Sequence, residues 1–169
     1  MGNRKNKTIW YSIGVVAFWA CLTMASETYQ IGINLTNSLP HKIILIHKYP
    51  PHKMPPIKRG DLVIFHWEHP QKKDWYPDYD QARWIKIVAG VPGDVVSQEG
   101  DRYYVEGIFV GELKKESKKG IPLEPGPTGV LPEGYYYLYG TNENSLDSRY
   151  RIIGWVPKEK IIGKGYVLY

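Results

Sequence analysis

Cysteine and histidine are scarce in this chain, and their scarcity excludes several kinds of site. Cys21 is the only cysteine among the 169 residues, so no internal disulfide and no cysteine-based zinc site can form. All five histidines lie between His41 and His69. The two in segment 66–69 lack the HExxH spacing that places two metal ligands on one helical face. We therefore interpret the histidines of segment 66–69 as solvated loop residues, and we expect neither a metal nor a cofactor.

The net positive charge is also small once the N-terminus is set aside. The formal net charge is +5, and Arg4, Lys5 and Lys7 supply three of these charges within a short stretch that contains no acid. The rest of the chain therefore carries only about +2, which is too little for a basic nucleic-acid-binding face. With 43% hydrophobic residues and no visible repeat, the sequence fits one compact folded domain.

The only long apolar run follows these basic residues and covers residues 9–25 without a single charge. As a helix it would be roughly 26 Å long at about 1.5 Å per residue, near the short limit for spanning a bilayer core. Trp10 and Tyr11 lie near one end of the run, where interfacial aromatic residues are expected. These features favour a membrane helix.

The positive flank predicts the orientation of that helix, because basic residues are retained on the cytoplasmic side. We predict a cytoplasmic basic tail over 1–8, a transmembrane anchor over 9–26 and an exported domain over 27–169. Two alternatives stay open. The sequence "TMA" before Ser26 is compatible with a cleaved signal peptide, and the run could also form a buried core helix.

Short apolar or alternating segments separated by turn signals fill the rest of the chain. The turns at 99–101 and 106–107 are typical of hairpins, and 114–133 is a loop rich in lysine, glycine and proline. No helix is predicted after the anchor, so the expected fold is all-β, as a barrel or folded sheet. The predicted strands are 42–49, 62–67, 83–91, 94–98, 102–106, 108–112, 135–140, 151–156 and 160–169.

Lys86 is the first candidate for a catalytic residue. In a strand, Trp84, Lys86 and Val88 share one face. If that face is buried, desolvation lowers the pKa of the amine, and a neutral amine is a general base. Ile85 and Ile87 offer the opposite face as an alternative core face. Periodicity alone leaves both orientations open.

Ser38 is the second candidate, in the polar segment 34–42. A serine hydroxyl becomes a nucleophile when a base takes its proton. Pro40 limits the conformations near Ser38 and would help to hold the hydroxyl in place. The alternative is a plain linker between helix and strand, which the local pattern by itself favours.

Segment 140–154 is the third candidate region. Asp147 and Arg149 can form a local ion pair, while the asparagines and serines around them can satisfy turn backbone. A hydroxyl such as that of Ser145 could also orient a buried lysine amine. As an isolated loop, however, the segment is unremarkable.

Taken in chain order, these segments resemble the bacterial type I signal peptidases. The resemblance implies a signal-peptidase-like all-β domain behind one anchor, and a serine peptidase that uses a Ser–Lys dyad. Asp147 and Arg149 resemble the supporting ion pair of that family. The matching segments are 37–40 (NSLP), 59–65 (RGDLVIF), 86–96 (KIVAGVPGDVV) and 140–154 (GTNENSLDSRYRIIG).

The resemblance also implies roles for individual residues. Ser38 resembles the nucleophile and Lys86 the general base. On this resemblance we expect Ser38 to be catalytic rather than part of a plain linker, and Lys86 to face inward rather than toward solvent. Ser145 resembles the hydroxyl that orients the lysine amine. Thr36 resembles a hydroxyl donor to the oxyanion hole, together with the backbone N–H of Ser38.

Two departures from the usual pattern narrow the resemblance. Leu39 stands where methionine is usual after the serine, and Thr141 stands where the last motif usually has aspartate. The compact size and the N-x-T-x-S-x-P pattern look closer to the conjugative-transfer, TraF-type branch. That branch implies processing of a pro-pilin in pilus biogenesis at the bacterial inner membrane, with cyclisation through an acyl-enzyme in some members.

The expected partners are a membrane-associated pro-pilin or exported precursor, the lipid bilayer and other conjugation or secretion components, but no nucleic acid. One alternative function is a general signal peptidase that removes signal peptides from exported proteins. Another is a non-catalytic scaffold of a conjugation apparatus. A self-cleaving Ser–Lys repressor is disfavoured by the predicted exported topology and by the lack of a DNA-binding head.

Overall fold

The computed structural model describes residues 3–33, 38–67, 83–118 and 120–169. This part of the chain forms one long helix, two short 3-10 helices (Pro51–Lys53 and Lys158–Lys160) and eleven strands. The long elements are α1 (Asn3–Thr28), β1 (Tyr29–Ile33), β2 (Ile43–Lys48), β3 (Leu62–His66), β4 (Arg83–Gly90), β5 (Val95–Glu99), β6 (Arg102–Val105), β7 (Ile108–Glu112), β8 (Gly129–Val130), β9 (Tyr135–Tyr139), β10 (Val156–Pro157) and β11 (Ile161–Val167).

The strands form two antiparallel sheets, which confirms the predicted all-β domain. The larger sheet has the order β1-β2-β11-β3-β4-β9-β10, and the smaller one has the order β7-β6-β5-β8. The last strand, β11, lies between β2 and β3, so the two ends of the domain are joined in one sheet. Strand β4, which carries Lys86, lies directly beside β9, which leads into segment 140–154.

Three groups of buried apolar side chains stabilise the two sheets. One face of the larger sheet contributes Val63, Phe65, Val88 and Leu138 to the first group. The opposite face supplies the second group, which consists of Leu39, Ile44, Ile46 and Ile64. The third involves the smaller sheet and reaches Tyr137 of β9. Strand alternation explains this division, since successive side chains point to opposite faces.

Two glycines in β11 allow close packing on one face of the larger sheet. A Cβ at Gly163 would lie 2.5 Å from the carbonyl oxygen of His47. A Cβ at Gly165 would lie 2.9 Å from Ile44 Cγ2 and 3.2 Å from Leu62 Cβ. Side chains at these two positions would therefore collide with strands on either side of β11.

Most of the predicted strands and both predicted hairpins are confirmed, and the differences occur where turn chemistry competes with apolar content. Segment 151–156 was predicted as a strand, but it is largely a turn, with Gly154 at φ 60° and only the short strand β10 at its end. Strand β1 was not predicted, because it follows α1 without a turn signal. The short strand β8 lies inside the predicted loop 114–133.

Helix α1 begins within the basic tail and is longer than the predicted anchor over 9–26. Within the described ranges, no helix combines the length and the apolar character needed to cross a bilayer. The anchor therefore stays a prediction.

We expect Gly163→Ala to destabilise the domain more than Gly165→Ala. The methyl group at position 163 meets the backbone of His47, whereas the one at 165 comes closest to a side-chain methyl group, Ile44 Cγ2. Overpacking of this kind costs about 1–3 kcal/mol, and we expect Gly163→Ala at the upper end. Urea denaturation of both variants measures the difference. Equal losses in the two variants would contradict this account of β11.

Candidate active site

Lys86 faces the core, and strand pairing determines this orientation. Its partner in β3 is Val63, and Trp84 and Val88 lie on the same face of β4. Only 2% of Lys86 is exposed. Burial lowers the pKa of its amine from 10.5 to about 8, against a smaller rise from the Asp147 carboxylate and with a further lowering from Arg149. The inward orientation, which periodicity left open, is therefore the one observed.

Two contacts orient the buried amine. Lys86 Nζ donates a hydrogen bond to Ser145 Oγ at 2.7 Å. It also lies 5.7 Å from the centroid of the Trp84 ring, within the range of a cation–π contact. An amine held in this way has a defined direction, which a proton acceptor needs.

Ser145 is held by the turn that follows β9. Its backbone N–H donates to the carbonyl of Asn142 at 2.9 Å, and the Asn142 side chain accepts from Asn144 N–H at 2.8 Å. The Ser148 hydroxyl accepts from Leu138 N–H at 3.0 Å and ties the turn back to β9. The side chains of Asn142 and Ser148 thus satisfy turn backbone as expected, whereas that of Ser145 binds Lys86 instead.

Asp147 and Arg149 form an ion pair that is 0% and 1% exposed. Arg149 donates from Nε at 2.8 Å and from Nη2 at 2.9 Å to the two carboxylate oxygens. Arg149 Nη2 also donates to the Ser145 carbonyl at 3.1 Å, and Asp147 accepts from Gly140 N–H at 3.0 Å. The pair therefore fixes both ends of the turn that carries Ser145.

Ser38 lies against the same turn. Its carbonyl accepts from Asn142 N–H at 3.4 Å and from Thr141 Oγ1 at 3.5 Å. A Cβ at Gly140 would lie 2.7 Å from the Ser38 carbonyl oxygen and would also collide with Ser145 Oγ. The next residue, Leu39, is buried in the second apolar group and anchors the segment.

Five residues from three distant parts of the sequence meet in one region of the molecule. Thr36, the predicted oxyanion-hole donor, lies outside the described residues. The roles of all six residues stay predictions at this point. The five that the structure brings together are Ser38, Lys86, Ser145, Asp147 and Arg149.

Sequence reasoning missed two contributors to this region. Gly140 was part of the matched motif, but its need for close packing between two serines is visible only in three dimensions. The carbonyl of Glu112, which accepts from Arg149 Nη1 at 2.8 Å, comes from the smaller sheet and has no sequence signal. In the part of the chain that the structure describes, no group of three or more His, Cys, Asp or Glu residues could hold a metal.

The arrangement can move a proton. A lysine with a pKa of about 8 is neutral in part of the population near neutral pH, so it can accept a proton from a hydroxyl. The same burial makes the protonated form costly to the folded state.

We predict that Lys86→Met stabilises the domain at pH 7. In the unfolded chain the amine keeps its ordinary pKa of 10.5, whereas in the folded state the pKa is about 8. Below pH 8 both states are protonated, and the folded state bears the full cost of a buried ammonium. That cost is about 3 kcal/mol at most. It declines as the pH rises from 8 to 10.5, and the advantage of Lys86→Met should decline with it.

Urea denaturation at pH 7 and pH 10 measures this effect. Lys158→Met, which removes an exposed lysine, serves as the control and should change stability by less than about 0.5 kcal/mol. An advantage of Lys86→Met that is equal at both pH values would contradict the burial argument.

Comparisons with known proteins identify the family of this chain. The model of a family described as signal peptidase, peptidase S26, matches residues 5–169. A signal peptidase I from Pseudomonas aeruginosa is 28% identical over 148 residues, which cover 66% of this chain and 49% of that protein. One from Leptolyngbya laminosa is 31% identical over 126 residues, covering 75% and 59%. One from Bacillus amyloliquefaciens is 34% identical over 116 residues, covering 63% and 54%.

The chain thus spans between 49% and 59% of the length of these curated relatives. A crystal structure of a signal peptidase I from Enterococcus faecalis aligns with 69% of this chain and 100% of that chain, at 24% identity and a TM-score of 0.41. The family match covers nearly the whole chain and agrees with the predicted class of enzyme, a serine peptidase. The chain belongs to the signal peptidase family, peptidase S26.

Proposed function

We propose that this domain cleaves a peptide bond with Ser38 as nucleophile and Lys86 as general base. The buried Lys86 amine carries the proposal, because it is 2% exposed and lies 2.7 Å from Ser145 Oγ. Ser38 lies against the turn that carries Ser145, and this proximity supports its pairing with that amine.

The proposed reaction has two halves. Lys86 Nζ takes the proton of Ser38 Oγ as this oxygen attacks the carbonyl carbon of the scissile bond. The negative charge on the carbonyl oxygen is stabilised by the Ser38 backbone N–H and the Thr36 hydroxyl. The Lys86 ammonium then gives its proton to the leaving amine. Water attacks the acyl-enzyme with the same base and completes hydrolysis.

The surrounding residues act on this base rather than on the substrate. Ser145 accepts a hydrogen bond from the lysine amine and aims it. The Asp147–Arg149 pair holds the Ser145 carbonyl in turn. Because neither charge of the pair is exposed, solvent does not screen their attraction.

We propose an exported precursor at a membrane surface as the substrate, with 27–169 as the exported domain. The uncharged segment 9–25 supports this location, since Trp10, Ile13, Val16 and Phe18 expose apolar surface on α1. Burial of such surface in a bilayer is favourable. The proposed location is the bacterial inner membrane, with the tail over 1–8 in the cytoplasm and the catalytic domain in the periplasm.

A narrower candidate is maturation of a pro-pilin in conjugation. The pattern 34–40, with Thr36 two positions before Ser38, favours it. An acyl-enzyme on Ser38 can be attacked by the N-terminal amine of the same pilin instead of by water. The product would then be a cyclic pilin.

We expect Ser38→Ala to abolish cleavage of a precursor whose signal peptide has an A-x-A-like cleavage site. Lys86→Arg should also abolish it, because a guanidinium stays charged and cannot accept the proton. Cleavage is measured by gel mobility and intact mass with the full chain in detergent. Ser97→Ala and Lys158→Arg, at exposed positions, are matched controls and should cleave normally. Normal turnover by Ser38→Ala or Lys86→Arg would refute the dyad.

Intact mass spectrometry of a candidate pilin separates the two substrate classes. Co-expression with this protein should yield a pilin lighter by one water than its linear cleaved form if cyclisation occurs. A linear product from the pilin, together with normal cleavage of signal-peptide precursors, would reject the narrower candidate and leave the general one.

A further inference from the structure

Arg149 links the turn that carries Ser145 to the smaller sheet. Its Nε and Nη2 atoms bind Asp147 and the Ser145 carbonyl, whereas Nη1 reaches out of the turn to the Glu112 carbonyl of β7 at 2.8 Å. Each of the three guanidinium nitrogens therefore has a fixed acceptor. Only the contact of Nη1 reaches the smaller sheet, whereas the acceptors of Nε and Nη2 lie in the turn itself.

Gly111, next to Glu112, provides the surface on which the guanidinium lies. The β6–β7 pairing shifts register beside it, and its φ is 144°, in the region that favours glycine. A Cβ at Gly111 would lie 2.9 Å from Arg149 Cζ and 3.2 Å from Arg149 Cδ, and it would also collide with Nη1. The guanidinium thus occupies the space that any other side chain at Gly111 would need.

We propose that Gly111 is a positioning residue for the Lys86 base and acts through Arg149. Because Gly111 has no side chain, the Arg149 guanidinium has room to bind the Glu112 carbonyl and, at the same time, Asp147 and the Ser145 carbonyl. This role rests on the proposed function, because it concerns the orientation of the base. Gly111 lies in a predicted strand but outside the four motif segments that carry the resemblance.

A methyl group at position 111 would have to push the guanidinium away from β7. Because Nη2 is bound to the Ser145 carbonyl, the displacement would pass to Ser145 and then to the Lys86 amine that Ser145 orients. Misplacement of a catalytic group by about 1 Å can lower a rate by roughly 100-fold. The effect should fall on kcat, since none of these atoms is placed against substrate.

The test compares Gly111→Ala with Gly129→Ala in the full chain. Gly129 lies in β8 of the same sheet and has φ 118°, but a Cβ there meets nothing within 4 Å. The control therefore carries the same kind of backbone strain without a collision. Cleavage of the A-x-A precursor gives kcat, KM and the pH profile, and urea denaturation verifies that both variants are folded.

We expect Gly111→Ala to lower kcat by about 10- to 100-fold with little change in KM. The alkaline requirement of kcat should also move to lower pH. Arg149 lowers the pKa of Lys86 and Asp147 raises it, so a guanidinium pushed from β7 toward the turn strengthens the first effect and weakens the second. Gly129→Ala should keep the wild-type kcat and pH profile. A simple loss of folded protein would lower activity without moving the profile.

A double-mutant cycle with Arg149→Lys tests the proposed route. Lysine lacks the Cζ and Nη1 atoms that the new methyl group would meet. In that background, Gly111→Ala should reduce kcat no further than Gly129→Ala does. The proposal fails if Gly111→Ala matches Gly129→Ala in the wild-type background, or if its loss persists in Arg149→Lys. Ser38→Ala in the same assay tests the dyad separately, so the two hypotheses can fail independently.

Discussion

The hydrogen bond between Lys86 Nζ and Ser145 Oγ is the interaction on which the site depends. It joins a central strand of the larger sheet to the turn that follows β9. Its surroundings are largely apolar, and burial lowers the pKa of the amine to about 8. The fold therefore accepts a costly buried lysine, and the same burial leaves part of the population neutral near pH 7, which the proposed role as a general base requires.

The Asp147–Arg149 pair is best understood as a positioning device. A buried ion pair is weak evidence for stability, because desolvation offsets much of the attraction between the charges. Here the pair has every partner it needs in Gly140, Ser145 and Glu112. Removing one member would leave a buried charge unpaired, which is strongly destabilising. Its contribution to the site is to keep the turn in one conformation.

The topology explains how short motifs far apart in sequence form one site. Strand β4 pairs with β9, so Lys86 lies near the turn that β9 enters. Leu39 is buried against the opposite face of the larger sheet and brings Ser38 to the same turn. The smaller sheet adds the Glu112 carbonyl from a third direction. No local segment could supply this arrangement alone, because the turn that carries Ser145 is bonded to β4, to the Ser38 carbonyl and to β7.

Sequence alone determined the family, the all-β class and the candidate residues, since the motifs occur in a specific order and turn residues separate the strands. It misjudged 151–156, where apolar residues lie in a turn around Gly154, and it missed β1, which follows α1 without a break. Only the tertiary structure decided that Lys86 points inward. A period of two gives both faces of 84–88 the same pattern, and pairing with β3 and β9 makes the lysine face the buried one.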